Sequence, residues 1–345
     1  MSIAVALSGG ADSLLALCLL HEQGHGPVAV HASFLAPSAR EDRLQEELSR
    51  VCTQLGVPLH CVDVHQEFKH LVIQPFVQAY ARGLTPNPCS WCNRRIKFGI
   101  MLQAAEALGL SRVATGHYAQ LHRDCPSPPG LFRGQDRNKD QSYFLALVGR
   151  EELQKADFPL AQWTKDRVRS ELAARGLQPA TSRESQEICF IPDNDYRSFL
   201  AAQDVSLSGP GDIVDTDGRI LGRHQGLHGY TLGQRRGLGI AHSEPLYVLD
   251  KDMDENVLVV GPGWQLQATS CRVGRINALV EVPDWPERIW IQTNYRQTAG
   301  PARVQVWGKE LGVFFEQLRP PAPPGQIAVF YSDSGRVLGG GEIHA

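Results

Sequence analysis

The chain has 345 residues, of which 42% are hydrophobic and 21% charged, a composition typical of a globular protein with two or three domains. Its 34 basic and 37 acidic residues nearly balance, so net charge neither suggests nor excludes a nucleic-acid partner. The opening residues MSIAVALSGG lack the basic region of a signal peptide, and no apolar run approaches the ~20 residues that cross a bilayer. We therefore expect a cytoplasmic protein with no membrane partner, whose eight cysteines are mostly reduced.

The first part of the chain alternates short apolar strands with amphipathic helices. Strands are predicted at 3–8, 27–34, 58–64 and 111–117, and helices at 12–23, 40–55 and 96–110. Glycines or polar turns end most of these segments. Such alternation predicts an α/β fold, with a doubly wound domain built on a parallel sheet.

After about residue 195 the pattern changes to short β-like runs separated by turn residues. These runs lie at 211–222, 244–261, 288–296, 302–308, 312–318 and 326–343. The proline-rich segment 319–326 is predicted to be a rigid surface connector between two of them. We divide the chain into an N-terminal α/β domain at 1–200, a small β-rich domain at 201–265 and a terminal β-barrel at 266–345.

The turn between the first strand and the first helix has the sequence LSGGADS, from Leu7 to Ser13. Glycines let the backbone approach an anion, and the following helix offers it free N–H groups and a positive dipole. Ser8 and Ser13 add hydroxyl donors, and Asp12 can hold a magnesium ion or orient the loop. The loop is neither a Walker A motif nor a dinucleotide fingerprint. Its full pattern favours nucleotide binding over an ordinary glycine-bearing turn.

Cys89 and Cys92 lie three residues apart in TPNPCSWCNRRIKF. A structural zinc site needs a second ligand pair, and none stands out in this sequence. The pair also lacks the strand-to-helix setting of a thioredoxin-type dithiol. A metal site that uses a distant third thiolate stays open, and Cys189, in SQEICFIP, is the cysteine whose surroundings stand out.

Six motifs occur in order along the chain: SGGADS, TPNPCSWCNRRIKF, ATGHYA, NKDQSYFL, SQEICFIP and HGYTLGQRRGLGI. In this order the sequence resembles the tRNA-specific 2-thiouridylases, the MnmA/TrmU family, from residue 8 to about residue 240. Weaker similarity continues to the end through TNYRQTA and PAPPGQIAVFYSDSGRVLGGG. The first motif is similar to the PP-loop of ATP pyrophosphatases, which split ATP into AMP and pyrophosphate.

The resemblance implies that AMP is transferred from ATP to O2 of the wobble uridine in the anticodon arm of a tRNA, and that sulfur then replaces this oxygen. Cys189 would carry a persulfide from a sulfur donor such as a cysteine desulfurase or a sulfur-carrier protein. Cys92 would release the sulfur and close a transient disulfide. Adenylation makes the C2 oxygen a leaving group, and a persulfide is a good nucleophile. The loop and Mg²⁺ would stabilise the charge on pyrophosphate.

At Cys89 the sequence departs from the family pattern, which has aspartate there. Together with Cys92 and Cys189, this extra thiolate gives the number of ligands for a [4Fe-4S] cluster with one open iron, which could hold the transferred sulfide. The sequence favours the persulfide route but leaves open the cluster route and a bystander role for Cys89. Two rivals also stay open: another PP-loop enzyme, such as an amide-forming synthetase, and a non-catalytic nucleotide- or RNA-binding module.

The resemblance further implies two sets of binding residues. The nucleotide set comprises Leu7, Ser8, Gly9, Gly10, Ala11, Asp12, Ser13, Ser33 and Gly116. The set for the tRNA and its target base comprises Asn87, Pro88, Cys89, His117, Lys139, Asp140, Gln141, Tyr295, Arg296 and Gln326. The residues themselves support part of this, because ATGHYA ends a predicted strand, where open sheets bind ligands. Asp140 is also a predicted helix cap. The basic run Arg94, Arg95 and Lys97 is placed for phosphate contacts near the reacting base, which must leave its stack.

Overall fold

The computed structural model describes residues 2–123, 130–181 and 188–344, and its N-terminal part is built on a parallel sheet. Its strands and α-helices, in chain order, are β1 (Ile3–Ala6), α1 (Ala11–Glu22), β2 (Pro27–Ser33), α2 (Ala39–Leu55), β3 (Leu59–Asp63), α3 (His65–Phe68), α4 (Gln74–Ala81), α5 (Pro88–Cys92), α6 (Met101–Ala107), β4 (Val113–Ala114), β5 (Ala119–His122), β6 (Gly130–Arg133), α7 (Ser142–Leu145), α8 (Arg150–Gln154), β7 (Ala156–Asp157) and α9 (Lys165–Ala174). Two π-helical segments, Lys69–Ile73 and Asn93–Ile100, continue the helices that precede them.

The sheet has the strand order β3-β2-β1-β4-β7, and all its neighbouring strands are parallel. The strand β1 is central, and its apolar residues Ile3 and Val5 are buried. From β1 the chain crosses first to β2 on one side and later to β4 on the other. In an open parallel sheet the crevice at such a switch point, beyond the carboxyl ends of the strands, is where ligands bind. This arrangement confirms the predicted doubly wound α/β domain.

Two predicted elements of this domain have different limits in the structure. The strand predicted at 111–117 pairs only over Val113–Ala114, because the chain then leaves the sheet towards α1. The helix predicted at 96–110 starts earlier, at Pro88. The Asn87 side chain accepts the N–H of Ser90, and proline suits the first turn of a helix, where its missing N–H has no partner to lose.

The rest of the chain is predominantly β-structure. Its elements are α10 (Tyr196–Ala201), β8 (Gly211–Val214), β9 (Ile220–His224), β10 (Leu246–Asp252), β11 (Val257–Pro262), β12 (Ala268–Ala278), β13 (Ile289–Gln292), β14 (Gly300–Trp307), β15 (Glu310–Arg319), β16 (Ile327–Tyr331) and β17 (Val337–His344). The strands β10-β11-β8-β9 form a four-stranded sheet, and β12-β15-β14-β13-β16-β17 close into a barrel. The predicted terminal barrel is confirmed, and β12 is a strand that the sequence analysis did not identify.

The proline-rich connector joins β15 to β16 as predicted, but its predicted surface position is wrong. Ala322, Pro323 and Gly325 are buried. The carbonyl of Pro324 accepts the N–H of Thr85 at 2.8 Å. Gly325 has a φ of +89°, and a Cβ atom there would lie 3.0 Å from Leu84. The connector therefore lies inside the protein and packs against the segment that leads into α5.

The barrel packs directly onto the helices of the first domain. One hydrophobic cluster contains Phe76 and Ile96 from those helices together with Ile327 and Val337 from the barrel. Polar contacts add direction to this packing. The Asn277 amide donates to the carbonyls of Ala146 and Val148, both at 2.9 Å, and the Tyr143 hydroxyl donates to that of Ile327 at 2.7 Å. The barrel therefore contacts the helices of the first domain through both apolar and polar groups.

No helix in the described part of the chain is long and apolar enough to cross a membrane.

Replacing Asn277 with alanine should destabilise the contact between barrel and helices. The substitution leaves two inward-facing carbonyl groups without their donor, and an unsatisfied buried group costs about 1–3 kcal/mol. We expect a loss of that size in the free energy of unfolding, measured by urea denaturation. Asn138→Ala, at an exposed position, is the control and should change it by less than about 0.5 kcal/mol. Equal losses in both variants would contradict this account.

Candidate active site

The phosphate loop lies at the switch point of the sheet, between β1 and α1. Gly9 has a φ of +83°, a conformation that glycine adopts without strain, and this turns the chain into the helix. The Ser13 hydroxyl donates to the carbonyl of Gly10 at 3.0 Å and accepts the N–H of Ser8 at 3.2 Å. The N-cap residue of α1 is Gly10, which has no side chain to accept a hydrogen bond from the first N–H groups of the helix. The predicted loop residues, Leu7 to Ser13, therefore form a turn that presents a helix N-terminus to an anion.

Gly116 brings the loop after β4 against this turn. A Cβ atom at Gly116 would lie 2.7 Å from the carbonyl carbon of Asp12 and 2.8 Å from the nitrogen of Ser13. Both are backbone atoms, so a side chain could be accommodated only by moving the phosphate loop. The structure thus brings Gly116 and the loop together, as the sequence analysis grouped them.

Asp12 is held by an ion pair that the sequence analysis did not predict. Both of its carboxylate oxygens accept from Lys165 Nζ, at 2.8 and 2.7 Å. The Tyr118 hydroxyl also donates to Asp12, at 2.6 Å. Lys165 belongs to the first turn of α9, 153 residues away in sequence. The pair orients the loop and places a cation at the phosphate site.

A second network supports the loop from behind. His31 Nδ1 bonds the carbonyl of Leu7 at 2.8 Å, and its Nε2 bonds Glu41 at 2.8 Å. The Ser33 hydroxyl donates to the same carboxylate at 2.6 Å. Although burial raises the pKa of Glu41, hydrogen bonds from Ser33 and His31 lower it below its ordinary value. Ser33, a predicted nucleotide residue, thus lies at the end of β2 with its proton donated to Glu41.

The structure brings Cys89, Cys92 and Cys189 within electrostatic reach of one another, although Cys189 is 97 residues from Cys92 in sequence. Cys89 and Cys92 lie on α5, where Cys92 is buried and Cys89 half-buried. The part of SQEICFIP before Ile188 lies outside the described residues. Cys189 itself is solvent-exposed, although protein surrounds most of its thiol.

Burial dominates the ionisation of these thiols. It raises the pKa of Cys89 to about 11 and that of Cys92 to about 12, and it also raises the pKa of Cys189. The Lys97 ammonium opposes this increase at all three thiols. At neutral pH these thiols are therefore protonated in the resting site, beside the side chain of Lys97, and Cys189 is the most exposed residue of the three.

The arrangement gives no support to the iron–sulfur hypothesis. Within residues 2–123, 130–181 and 188–344, no group of three or more His, Cys, Asp or Glu side chains could hold a metal ion. This statement covers Cys89, Cys92 and Cys189, which interact through charge but do not form such a group. Asp12 is likewise no preformed magnesium site, because Lys165 engages both of its oxygens.

The basic run after the cysteines divides into three environments. Arg94 is exposed. The guanidinium of Arg95 donates to the carbonyl of Leu71 at 2.7 Å and lies 5.7 Å from the ring of Trp91. Lys97 is half-buried among the thiols. Of the three residues predicted to contact phosphate, Arg94 is therefore the one with its side chain in solvent.

His117 is buried, between Gly116, which contacts the phosphate loop, and the Lys97 side chain, which interacts with the thiols. Its Nδ1 bonds the Thr115 hydroxyl at 2.7 Å, and its ring packs near Phe98 and Phe158. Burial lowers the pKa of His117 well below its ordinary value, and the charge of Lys97 adds to this effect. The imidazole is therefore neutral at physiological pH and lies inside the protein.

The three residues of the NKDQSYFL motif that were predicted to contact tRNA also make internal contacts. Asp140 is buried and accepts the N–H groups of Gly134 at 2.9 Å and Ser142 at 3.0 Å. The second of these is the first N–H group of α7, but the N-cap residue of that helix is Gln141, so the prediction of Asp140 as the cap is wrong by one residue. Gln141 exchanges hydrogen bonds with the backbone of Tyr118, at 2.9 and 3.0 Å. Lys139 is half-buried beside them.

The remaining predicted tRNA residues surround α5 and the barrel edge. Asn87 and Pro88 are buried at the start of α5. Tyr295 is half-buried, with its ring 4.4 Å from that of Phe144, and Arg296 is exposed. Gln326 lies half-buried at the end of the proline-rich connector.

A link between α5 and the barrel was also missed by the sequence analysis. Trp91 Nε1 donates to Glu342 at 3.2 Å, and Arg275 pairs with the same carboxylate at 2.8 Å. The contact spans 251 residues of sequence, so no local pattern could have signalled it. The same holds for the pair of Lys165 and Asp12, which are 153 residues apart in sequence.

Fold and loop together define a nucleotide-binding α/β protein of the PP-loop type, followed by two β-domains. Protein-family models agree in order along the chain. Residues 1–193 match the model described as tRNA methyl transferase HUP domain, residues 197–262 the tRNA methyl transferase PRC-barrel domain, and residues 268–343 the aminomethyltransferase beta-barrel domain.

Curated relatives match over nearly the whole chain. Proteins named tRNA-specific 2-thiouridylase MnmA are 49% identical in Nitratidesulfovibrio vulgaris strain Miyazaki F, 47% in Oleidesulfovibrio alaskensis and 43% in Roseiflexus castenholzii. In each case 99% of this chain is covered, with 98–99% of the relative. The chain therefore belongs to the tRNA-specific 2-thiouridylase family, and the resemblance found in its motifs is confirmed.

Gly116→Ala should displace the phosphate loop, because the added methyl group would meet backbone atoms of Asp12 and Ser13. Overpacking of this kind costs about 1–3 kcal/mol, so we expect ATP affinity to fall by roughly tenfold or more. Isothermal titration with a non-hydrolysable ATP analogue measures the change. Gly209→Ala is the matched control, since nothing lies within 4 Å of its Cβ position. Unchanged affinity in Gly116→Ala would show that the close approach is unimportant.

Lys165→Met should remove the cation from the phosphate site while keeping most of the aliphatic stem. We expect weaker ATP binding by about tenfold, the range of one lost charge-assisted contact, and partial recovery in Lys165→Arg. The same titration measures it. Lys155→Met, which removes an exposed lysine paired with Glu106, should leave the affinity unchanged. Equal effects at Lys155 and Lys165 would assign the loss to net charge alone.

Proposed function

We propose that this protein uses ATP to convert the wobble uridine of a tRNA into 2-thiouridine. One observation carries the proposal: the segment Thr115–His117 connects the phosphate loop to the thiols. Gly116 lies against Asp12 and Ser13, while the adjacent His117 lies within reach of Lys97, which stands beside the three cysteines. A nucleotide bound at the loop and a sulfur atom carried by a cysteine could thus both reach the same uridine base.

The first step is adenylation of the uridine. O2 of the base attacks the α-phosphorus of ATP, the bond to the bridging oxygen of the β-phosphate breaks, and pyrophosphate leaves. The N-terminus of α1, the hydroxyls of Ser8 and Ser13, and Lys165 are the groups placed to bind the phosphates. Mg²⁺ would arrive on the ATP phosphates, as this ion is commonly bound, and would add charge neutralisation there.

The second step delivers sulfur. A sulfur donor, such as a cysteine desulfurase or a sulfur-carrier protein, transfers a sulfur atom to Cys189, whose exposure supports this role. The Cys92 thiolate attacks Cys189 Sγ, so that a Cys92–Cys189 disulfide forms and hydrosulfide leaves. Hydrosulfide adds to C2 of the adenylated base, and AMP departs with the former O2. A thiol reductant then returns the disulfide to two thiols, which balances the electrons.

The names of the similar proteins indicate different chemistry, since the family models are described by methyl transfer and the curated relatives by thiolation. The site favours thiolation. Methyl transfer needs neither a loop that binds nucleotide phosphates nor thiols that approach one another from distant parts of the sequence. Both features are explained when ATP activates an oxygen of the base and a sulfur atom delivered by the cysteines replaces that oxygen. The persulfide route is also preferred over a cluster, because the three thiols are not arranged as ligands of one centre.

The test combines protein, ATP, Mg²⁺, a persulfide-generating desulfurase with cysteine, and unmodified tRNA, followed by nucleoside mass spectrometry. We expect 2-thiouridine in the tRNA with release of AMP and pyrophosphate. Cys189→Ser and Cys92→Ser should each abolish thiolation while pyrophosphate release persists, because the serines leave the phosphate loop intact. Cys61→Ser, at an exposed cysteine on β3, is the control and should remain active.

Absence of 2-thiouridine with correctly folded wild-type protein would refute the proposed function. Loss of pyrophosphate release in both cysteine variants would assign them a structural role instead. Cys89→Ser separates the two sulfur routes. The persulfide route predicts retained thiolation in an iron-free protein, whereas loss of thiolation together with bound iron in the wild type would favour the cluster.

A further inference from the structure

The helix that carries Cys89 and Cys92 changes its winding immediately after Cys92. Residues Pro88–Cys92 are α-helical and Asn93–Ile100 are π-helical. The N–H of Met101, which caps the π-segment, bonds the carbonyl of Ile96, five residues back. Short π-helical segments cost stability and occur frequently at functional sites, so this segment calls for an explanation in terms of the side chains it places.

The wider turn brings Lys97 onto the face of Cys92. These residues are five positions apart, and in an α-helix that spacing separates two side chains by about 140° around the axis. In a π-helix the hydrogen bonds join residues five apart, which brings positions i and i+5 to neighbouring points on the same face. The change in winding therefore reduces the angle around the axis between Lys97 and Cys92, which agrees with the charge interaction between the two side chains.

The charge distribution agrees with this placement. Lys97 lowers the pKa of Cys89, Cys92 and Cys189, and it is the cation common to all three. It also acts on the buried, neutral His117, from the loop after β4. In the described ranges no carboxylate forms a salt bridge with Lys97. Among residues 2–123, 130–181 and 188–344, the titratable groups of this recess are thus the three thiols, His117 and Lys97, and no acidic side chain in these ranges pairs with the Lys97 ammonium.

We propose that Lys97 is the cation that stabilises the sulfur anions of this site: the Cys92 thiolate that attacks, the persulfide on Cys189, and the hydrosulfide that leaves. The inference rests on the proposed function for these three species. Each carries negative charge in surroundings that disfavour ions, and a fixed ammonium offsets that cost. Lys97 acts in this role through its charge and takes part in no bond-forming or electron-transfer step.

The neighbouring arginines do not fill this role. The guanidinium of Arg95 is engaged by other groups, since it donates to the carbonyl of Leu71 and lies over the ring of Trp91. Arg94 is exposed. The three basic residues of NRRIKF therefore differ in function, and Arg94 provides a matched control for removal of one positive charge from the same helix.

The experiment measures alkylation of the resting protein by iodoacetamide, with the modified cysteine identified by mass spectrometry. Only the thiolate reacts, so the rate at fixed pH follows the thiolate fraction. Lys97→Met keeps the aliphatic stem and removes the charge. We expect its Cys189 alkylation rate at pH 8 to fall about tenfold, with the whole pH profile moved to higher pH. Lys97→Arg should restore the rate to within a few-fold of wild type, and Arg94→Met should match wild type.

Thiolation of tRNA provides the second readout. Lys97→Met should reduce 2-thiouridine formation while pyrophosphate release stays at the wild-type rate, since the phosphate loop is untouched. An unchanged alkylation profile in folded Lys97→Met, or an equal change in Arg94→Met, would overturn the proposal. If Lys97→Met fails to fold, Lys97→Gln takes its place with the same expectations. Alkylation needs no tRNA or ATP, so it decides the role of Lys97 even if the wild-type protein makes no 2-thiouridine.

Discussion

The contact between Gly116 and the backbone of Asp12 and Ser13 is the constraint on which the site depends. It joins the loops that follow β1 and β4, the two strands at which the parallel sheet changes direction. Because a Cβ atom would collide with backbone, the approach is open to glycine alone. On one side of it lie the phosphate loop and Lys165, and on the other His117 and the thiols. In the proposed reaction, activation by a nucleotide and delivery of sulfur thereby become neighbouring events.

The barrel packs against the domain that carries the site and contacts the helix that holds two of its cysteines. Its strands share a hydrophobic cluster with the helices of the first domain, and Glu342 reaches Trp91 between the two cysteines of α5. The connector after β15 is buried against the segment that leads into α5. A short helix with an adjoining π-segment has little stability of its own, so packing from outside must fix the positions of its thiols.

Burial raises the pKa of the thiols at both sulfur positions, but the two residues differ in their exposure to solvent. It keeps the thiol of Cys92 protonated, with its pKa raised to about 12, and so protects it from unwanted oxidation or alkylation. Cys189 is exposed and can meet a donor. A site of this kind needs a charge that favours the sulfur anion when it forms, and the half-buried Lys97 is the group that the fold supplies. Reactivity is thus set by a balance between desolvation and one ammonium ion.

The sequence by itself determined the parallel α/β domain, the terminal barrel and the phosphate loop, because hydrophobic periodicity and glycine placement are local properties of the chain. The order of its motifs also identified the family. Only the tertiary structure decided that Lys165 pairs with Asp12, that Glu342 holds Trp91 and that the proline-rich connector is internal. The tertiary structure also showed that Lys97 interacts with the thiols, whereas Arg94 is exposed and Arg95 bonds the carbonyl of Leu71. These contacts join residues far apart in sequence or depend on a local change of helical winding, and neither leaves a periodic signal.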